Sequence, residues 1–228
     1  MIPLRDTIPS RRWPVMNVLI IIATFAVFLH QQQLLHLNPE LFEKLIDQYG
    51  LIPARFRQSL LNGSPDFLPF VTYMLLHSGW MHVIGNLWAL WLFGDNVEDR
   101  MGSFRYLLFY ITCGIIAGGV HFWIDPASNV VTIGASGAIA GVMGAYFIMY
   151  PSAKIVTLIP IVIIPLFVPI PAWIYLGFWL LSQIYSLVLT QGAPELASNI
   201  AFAAHIGGFV AGMFGHRFFI KSRRSYYY

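Results

Sequence analysis

The sequence predicts an all-α membrane protein: one domain over residues 1–228, folded as a bundle of six transmembrane helices. Hydrophobic residues make up 57% of the chain and charged residues 10%, and the mean hydropathy is +0.68. Soluble domains contain about 25% charged residues. Apolar runs long enough to cross roughly 30 Å of hydrocarbon recur along the chain. The basic residues form no patch interleaved with polar ones, which argues against a nucleic-acid partner.

Each apolar run is predicted as a span, and the segments between the runs as tails and loops. No small-residue cleavage site follows the first run, so we expect this span to be retained. Four prolines interrupt the stretch before the fifth span, which makes residues 155–170 an interfacial or re-entrant loop. The predicted spans are residues 14–29, 71–94, 104–123, 133–150, 171–190 and 199–220; residues 30–68 form an outer loop with room for short amphipathic helices, and residues 1–13 and 221–228 form tails.

The distribution of basic residues predicts that both termini face the cytosol. In that orientation the outer loops hold only Lys44, Arg55 and Arg57 of the 13 basic residues, which follows the positive-inside rule. Short tails and the lack of a transit peptide favour the plasma membrane of a prokaryote.

Polar residues from three distant spans are predicted to meet at one depth. Ser136, His205 and His82 each lie 12 to 14 residues before the cytosolic end of their span. At ~1.5 Å per residue, all three lie on the order of 20 Å above the cytosolic interface. Asn86 lies one turn deeper than His82 on the same helix face. Polar groups inside a bilayer are costly, so their convergence indicates a functional site.

Small residues predict that the fourth and sixth spans pack closely. Gly137 and Gly141 are spaced four residues apart, and Ala204, Gly208 and Gly212 repeat the same spacing. Such stripes let helix backbones approach each other in a membrane. This packing brings Ser136 within hydrogen-bonding reach of His205. We predict that three glycines support the site: Gly137 and Gly208 in these stripes, and Gly134 in the small-residue turn that frames Ser136.

A serine and a histidine in contact can perform nucleophilic catalysis, because the imidazole accepts the proton of the hydroxyl. His82, Asn86 and the backbone N–H of Ser136 are candidates for stabilising the oxyanion that forms. The nearest acidic residues, among them Asp95, lie ~20 Å away at the opposite interface. The sequence therefore predicts a dyad rather than a triad.

The ordered motifs of three spans resemble the rhomboid family of intramembrane serine proteases. They are HSGWMHVIGN at 77–86, GASG at 134–137 and AHIGG at 204–208. The resemblance implies a serine endopeptidase with Ser136 as nucleophile, His205 as general base, and His82 and Asn86 in the oxyanion hole. It also implies transmembrane proteins as substrates, no metal or cofactor, and a cap over the site at about residues 191–198.

Two departures and two alternatives accompany this interpretation. Leu68 and Pro69 occupy the place where some members have a Trp-Arg pair, so the first loop is anchored differently. Ala140 occupies the place of a tyrosine that stacks on the histidine in some members; either another group orients His205 or the ring is held more loosely.

A non-catalytic, client-binding relative is the main alternative, and a small transporter ranks lower. No HExxH motif is present, which disfavours a metalloprotease.

Overall fold

The computed structural model describes residues 2–161, 164–192 and 201–221, and most of these residues are helical. The elements in chain order are β1 (Ile2–Arg5), α1 (Val15–Leu37), α2 (Pro39–Tyr49), α3 (Pro53–Leu61), α4 (Pro69–Thr72), a 3₁₀ turn (Tyr73–Leu75), α5 (Trp80–Met101), α6 (Ser103–Ile124), α7 (Ser136–Met149), β2 (Lys154–Ile161), β3 (Ile164–Pro171), α8 (Ala172–Gly192), α9 (Phe202–Gly215) and a 3₁₀ turn (His216–Phe218).

The helices support the assignment to the membrane proteins. Within the described ranges, Val15–Leu37, Ser103–Ile124 and Ala172–Thr190 are long and apolar enough to cross a bilayer. Helices α5, α7 and α9 overlap the other three predicted spans, with different ends. That all six cross the membrane remains a prediction.

Several helix ends differ from the predicted bounds, and α5 continues to Met101 instead of ending at Gly94. Helix α1 continues to Leu37 instead of ending at Leu29. Its buried Gln31 accepts from the backbone N–H of His77 at 3.0 Å and donates to the His77 carbonyl at 3.3 Å. These bonds hold residues 76–79 outside any helix, so α5 begins at Trp80 and not near Val71.

Glu98 ties the far end of α5 to the start of α1. Its carboxylate accepts from the backbone N–H groups of Met16 and Asn17 at 3.0 and 2.7 Å, and from the Ser103 hydroxyl at 2.5 Å. The first N–H groups of a helix have no partner within the helix. Glu98 therefore caps α1 from another element, although it lies 81 positions from Asn17 in the chain.

A small antiparallel sheet, ordered β1-β2-β3, lies at the opposite end of α7 from Ser136. The segment predicted as a loop at 155–170 forms the β2–β3 hairpin, and the predicted N-terminal tail contributes β1. Asp6 follows β1 and accepts hydrogen bonds from Tyr146 and Asn96. Burial raises the pKa of the Asp6 carboxyl, while the Tyr146 bond acts in the opposite direction.

Helix α7 is the centre of the bundle. Every residue from Gly137 to Tyr146 is buried, and the helix packs against α5, α6, α8 and α9. A helix apolar on all sides and surrounded by other helices is expected to hold its ends in fixed positions. Ser136 is its first residue, so the hydroxyl is placed by the packing of the whole bundle.

Candidate active site

The Ser136 side chain opens into a cavity at the start of α7. The cavity has a volume of about 480 Å³, and its lining includes His82, Asn86, Gly134 and His205. Ser136 itself is half-buried. The polar residues predicted to share one depth therefore surround one space.

The imidazole of His205 contacts the Ser136 hydroxyl directly. Nε2 of His205 lies 2.7 Å from Oγ of Ser136, across 69 positions of the chain. Nδ1 of the same ring lies 2.7 Å from Oε1 of Gln183, which can only accept. The proton is therefore assigned to Nδ1, and Nε2 accepts from the serine hydroxyl.

The contact depends on an unusually close approach of α7 and α9. A Cβ added to Gly208 would lie 1.9 Å from the Gly137 carbonyl oxygen, and one added to Gly212 would lie 1.8 Å from that of Gly141. No side chain fits where backbone meets backbone at this distance. The predicted small-residue stripes thus lie face to face in the structure.

Helix α8 supplies the groups that orient His205. The amide of Gln183 donates to the Ser182 hydroxyl at 3.1 Å, and Ser182 donates to the Trp179 carbonyl at 2.6 Å. The Trp179 ring lies 5.9 Å from the His205 ring at an interplanar angle of 35°. Ala140 offers no ring to His205, and Gln183 and Trp179 of α8 contact the imidazole instead.

His82 faces the cavity with one nitrogen engaged behind it. Nδ1 lies 2.9 Å from the Ser78 hydroxyl and 3.5 Å from the Ser78 backbone N–H, which can only donate. This assigns the ring proton to Nε2. A Cβ on Gly134 would lie 2.7 Å from that Nε2, and Gly134 has φ +135°, a value that favours glycine. The nitrogen is therefore an N–H donor beside the serine.

Asn86 is held by a histidine that the sequence argument did not place in the site. Its amide nitrogen lies 2.9 Å from Nε2 of His77, and the backbone N–H of Ala135 donates to the same nitrogen at 3.5 Å. His77 is 1% exposed. One amide hydrogen of Asn86 is thus engaged, and the second remains for the cavity.

Gln183, Trp179 and Ser78 were not predicted as part of the site, and His77 was expected at the outer interface. The available signal was polarity: Gln183 is an amide inside a largely apolar span, and such residues are costly to place there. The predicted cap at 191–198 lies outside the described residues, apart from its first two positions. Among described residues, the hydrogen-bond partners of His205 include no carboxylate.

Comparison with known proteins identifies the class to which this fold and site belong. The profile of the rhomboid domain matches residues 64–222, which is well over half of the chain. The chain is a member of the rhomboid family.

Several curated proteins are similar to the chain. Rhomboid-related protein 2 of Mus musculus is 33% identical over 63% of this chain and 45% of its own length. Rhomboid protease GluP of Bacillus subtilis (strain 168) is 31% identical over 72% of this chain and 28% of its own. Putative rhomboid protease YdcA of the same organism is 38% identical over 35% of this chain and 39% of its own length. The chain spans less than half the length of each of these relatives.

Replacing Gln183 with leucine is expected to lower kcat of the hydrolase activity proposed below by about 10- to 100-fold with little change in KM, because the ring loses the acceptor that sets its tautomer. Gln183→Glu keeps an acceptor at this position and is expected to recover part of the activity. Ser186→Ala, one turn away on α8, serves as the control. Equal kcat for Gln183→Leu and Ser186→Ala would contradict the positioning role.

Proposed function

We propose that this protein is an intramembrane serine endopeptidase that cleaves peptide bonds in or beside the transmembrane segments of other membrane proteins. The observation that carries the proposal is the 2.7 Å contact between Ser136 and His205 inside the cavity. A hydroxyl bonded to an imidazole with a fixed tautomer is an activated nucleophile.

The residues around the dyad suggest the sequence of steps. His205 Nε2 takes the proton of Ser136 while Oγ attacks the carbonyl carbon of the substrate. The oxyanion then accepts from the Nε2–H of His82, the free amide hydrogen of Asn86 and the backbone N–H of Ser136. Protonated His205 gives its proton to the leaving amine, and water activated by the same base hydrolyses the acyl enzyme. The steps use protein groups and water, and no metal or cofactor has a part in them.

We also propose a topology of six membrane crossings with both termini in the cytosol, and the plasma membrane of a prokaryote as the location. The excess of basic residues on the predicted cytosolic segments supports the orientation. The cavity would then open near the outer face, where water and an unwound substrate strand can reach Ser136.

The proposal is tested by cleavage of a transmembrane reporter substrate by the purified protein in liposomes. Wild type and Ser152→Ala, a change in an exposed turn far from the cavity, are expected to release the product. Ser136→Ala is expected to bind the reporter without cutting it. If well-folded wild type binds several reporters and cleaves none, the protein is a non-catalytic client-binding member instead.

A further inference from the structure

The β2–β3 hairpin is buried at its base and exposed along its outer strand. Ala153, Ile155 and Thr157 are buried. Leu166 and Phe167 on β3 are 44% and 56% exposed. The hairpin follows the end of α7, so it lies about 20 Å from Ser136 at ~1.5 Å per residue. It takes no part in the proposed catalysis.

The register of the hairpin explains the position of every proline in it. Ala172 N–H donates to the Ala153 carbonyl at 2.7 Å, so this pair is hydrogen-bonded, and bonded and non-bonded pairs alternate from it along the ladder. The pairs Lys154 with Pro171, Val156 with Pro169, and Pro160 with Pro165 are then all non-bonded. Each proline thus stands where an N–H would have pointed away from the partner strand.

As a result, the outer edge of β3 lacks donors at Pro165, Pro169 and Pro171. Proline on an edge strand prevents the addition of a further strand. It also removes the N–H groups that would cost several kcal/mol each if left unpaired in hydrocarbon. The outward carbonyls of these residues and the N–H of Phe167 remain. An edge of this composition is therefore unsuited to a protein strand and suited to the membrane interface, where water and headgroups can satisfy these groups.

The exposed surface of the hairpin continues onto a membrane-spanning helix. β3 leads directly into α8, which is long and apolar enough to span a bilayer. The first turn of α8 exposes Trp173 and Ile174, by 55% and 43%, and tryptophan is enriched at membrane interfaces. Lys154 at the hairpin base is also exposed, and a lysine at this level matches the charge of anionic lipid headgroups.

We propose that the hairpin is a lipid-binding element that lies in the boundary between headgroups and acyl chains of the leaflet opposite the active site. Phe167 and Leu166 contact lipid there, and Lys154 faces the headgroups. The proposal rests on the membrane topology and is independent of whether the dyad is active.

The test uses the full-length protein with its only cysteine removed, Cys113→Ala. Phe167→Cys is labelled with an environment-sensitive fluorophore and reconstituted in phosphatidylcholine and phosphatidylglycerol vesicles that contain nitroxide-labelled lipid. Ser152→Cys, in an exposed turn near the hairpin base, is the matched control, and Leu166→Cys is a second site if Phe167→Cys does not fold.

The lipid-borne nitroxide is expected to quench the hairpin label at least about threefold more than the control label. Aqueous iodide is expected to quench the control label more than the hairpin label. Adding Ser136→Ala leaves both results unchanged, so the test is separate from catalysis. Equal access of iodide to the two labels would overturn the proposal in favour of an aqueous surface. Self-quenching that grows with the protein-to-lipid ratio would overturn it in favour of a second copy.

Discussion

Ser136→Ala, His205→Ala and the double variant are expected to lower the cleavage rate by similar factors, each of about 10³-fold or more. The two side chains act as one unit. The Ser136 hydroxyl is a poor nucleophile without a base, and the His205 imidazole, at 2.7 Å, acts as a base only by accepting the proton of that hydroxyl. Once one member is gone, removing the other should cost little.

The measurement is single-turnover cleavage of a transmembrane reporter by the three variants and by Ser152→Ala. A double variant whose loss equals the product of the two single losses would mean that the residues act independently. In that case the observed contact would not be the catalytic unit.

Gly208→Ala is expected to abolish cleavage and to lower the thermal unfolding midpoint strongly. The new Cβ would lie 1.9 Å from the Gly137 carbonyl, so α7 and α9 must separate. Overpacking of side chains typically costs about 1–3 kcal/mol, and a backbone neighbour yields less readily than a side chain. Gly137 is adjacent to Ser136, so the separation also opens the contact with His205.

The matched control is Gly119→Ala on α6, where an added Cβ meets nothing within 4 Å. This variant is expected to keep wild-type cleavage, because alanine is tolerated at an uncrowded helix position. Both quantities are measured on the same preparations in detergent. If Gly208→Ala and Gly119→Ala unfolded at the same temperature, the close approach of the helices would be contradicted.

The apolar runs and the spacing of polar residues made much of the bundle predictable. Depth alone grouped Ser136, His205 and His82, because a helix converts sequence distance into a fixed rise. The glycine spacing indicated which helices approach each other. These signals are local and periodic, so a single sequence displays them.

Contacts that depend on how helices are rotated against each other were not predictable. Gln183 reaches His205 only because α8 packs beside α9, and Gln31 reaches His77 only because α1 lies beside the 3₁₀ turn before α5. The pairing of β1 with β2 joins segments about 150 residues apart. A lone glutamine or a short N-terminal stretch carries no periodic signal of its partner.

The most direct test of the dyad is covalent labelling of the purified protein with a fluorophosphonate, which reacts with activated serine hydroxyls, followed by peptide mass spectrometry. We expect one adduct, on Ser136, in wild type and in Ser152→Ala, and its loss in His205→Ala. An adduct that persists undiminished without His205, or cleavage-competent protein that is never modified at Ser136, would contradict the Ser136–His205 dyad.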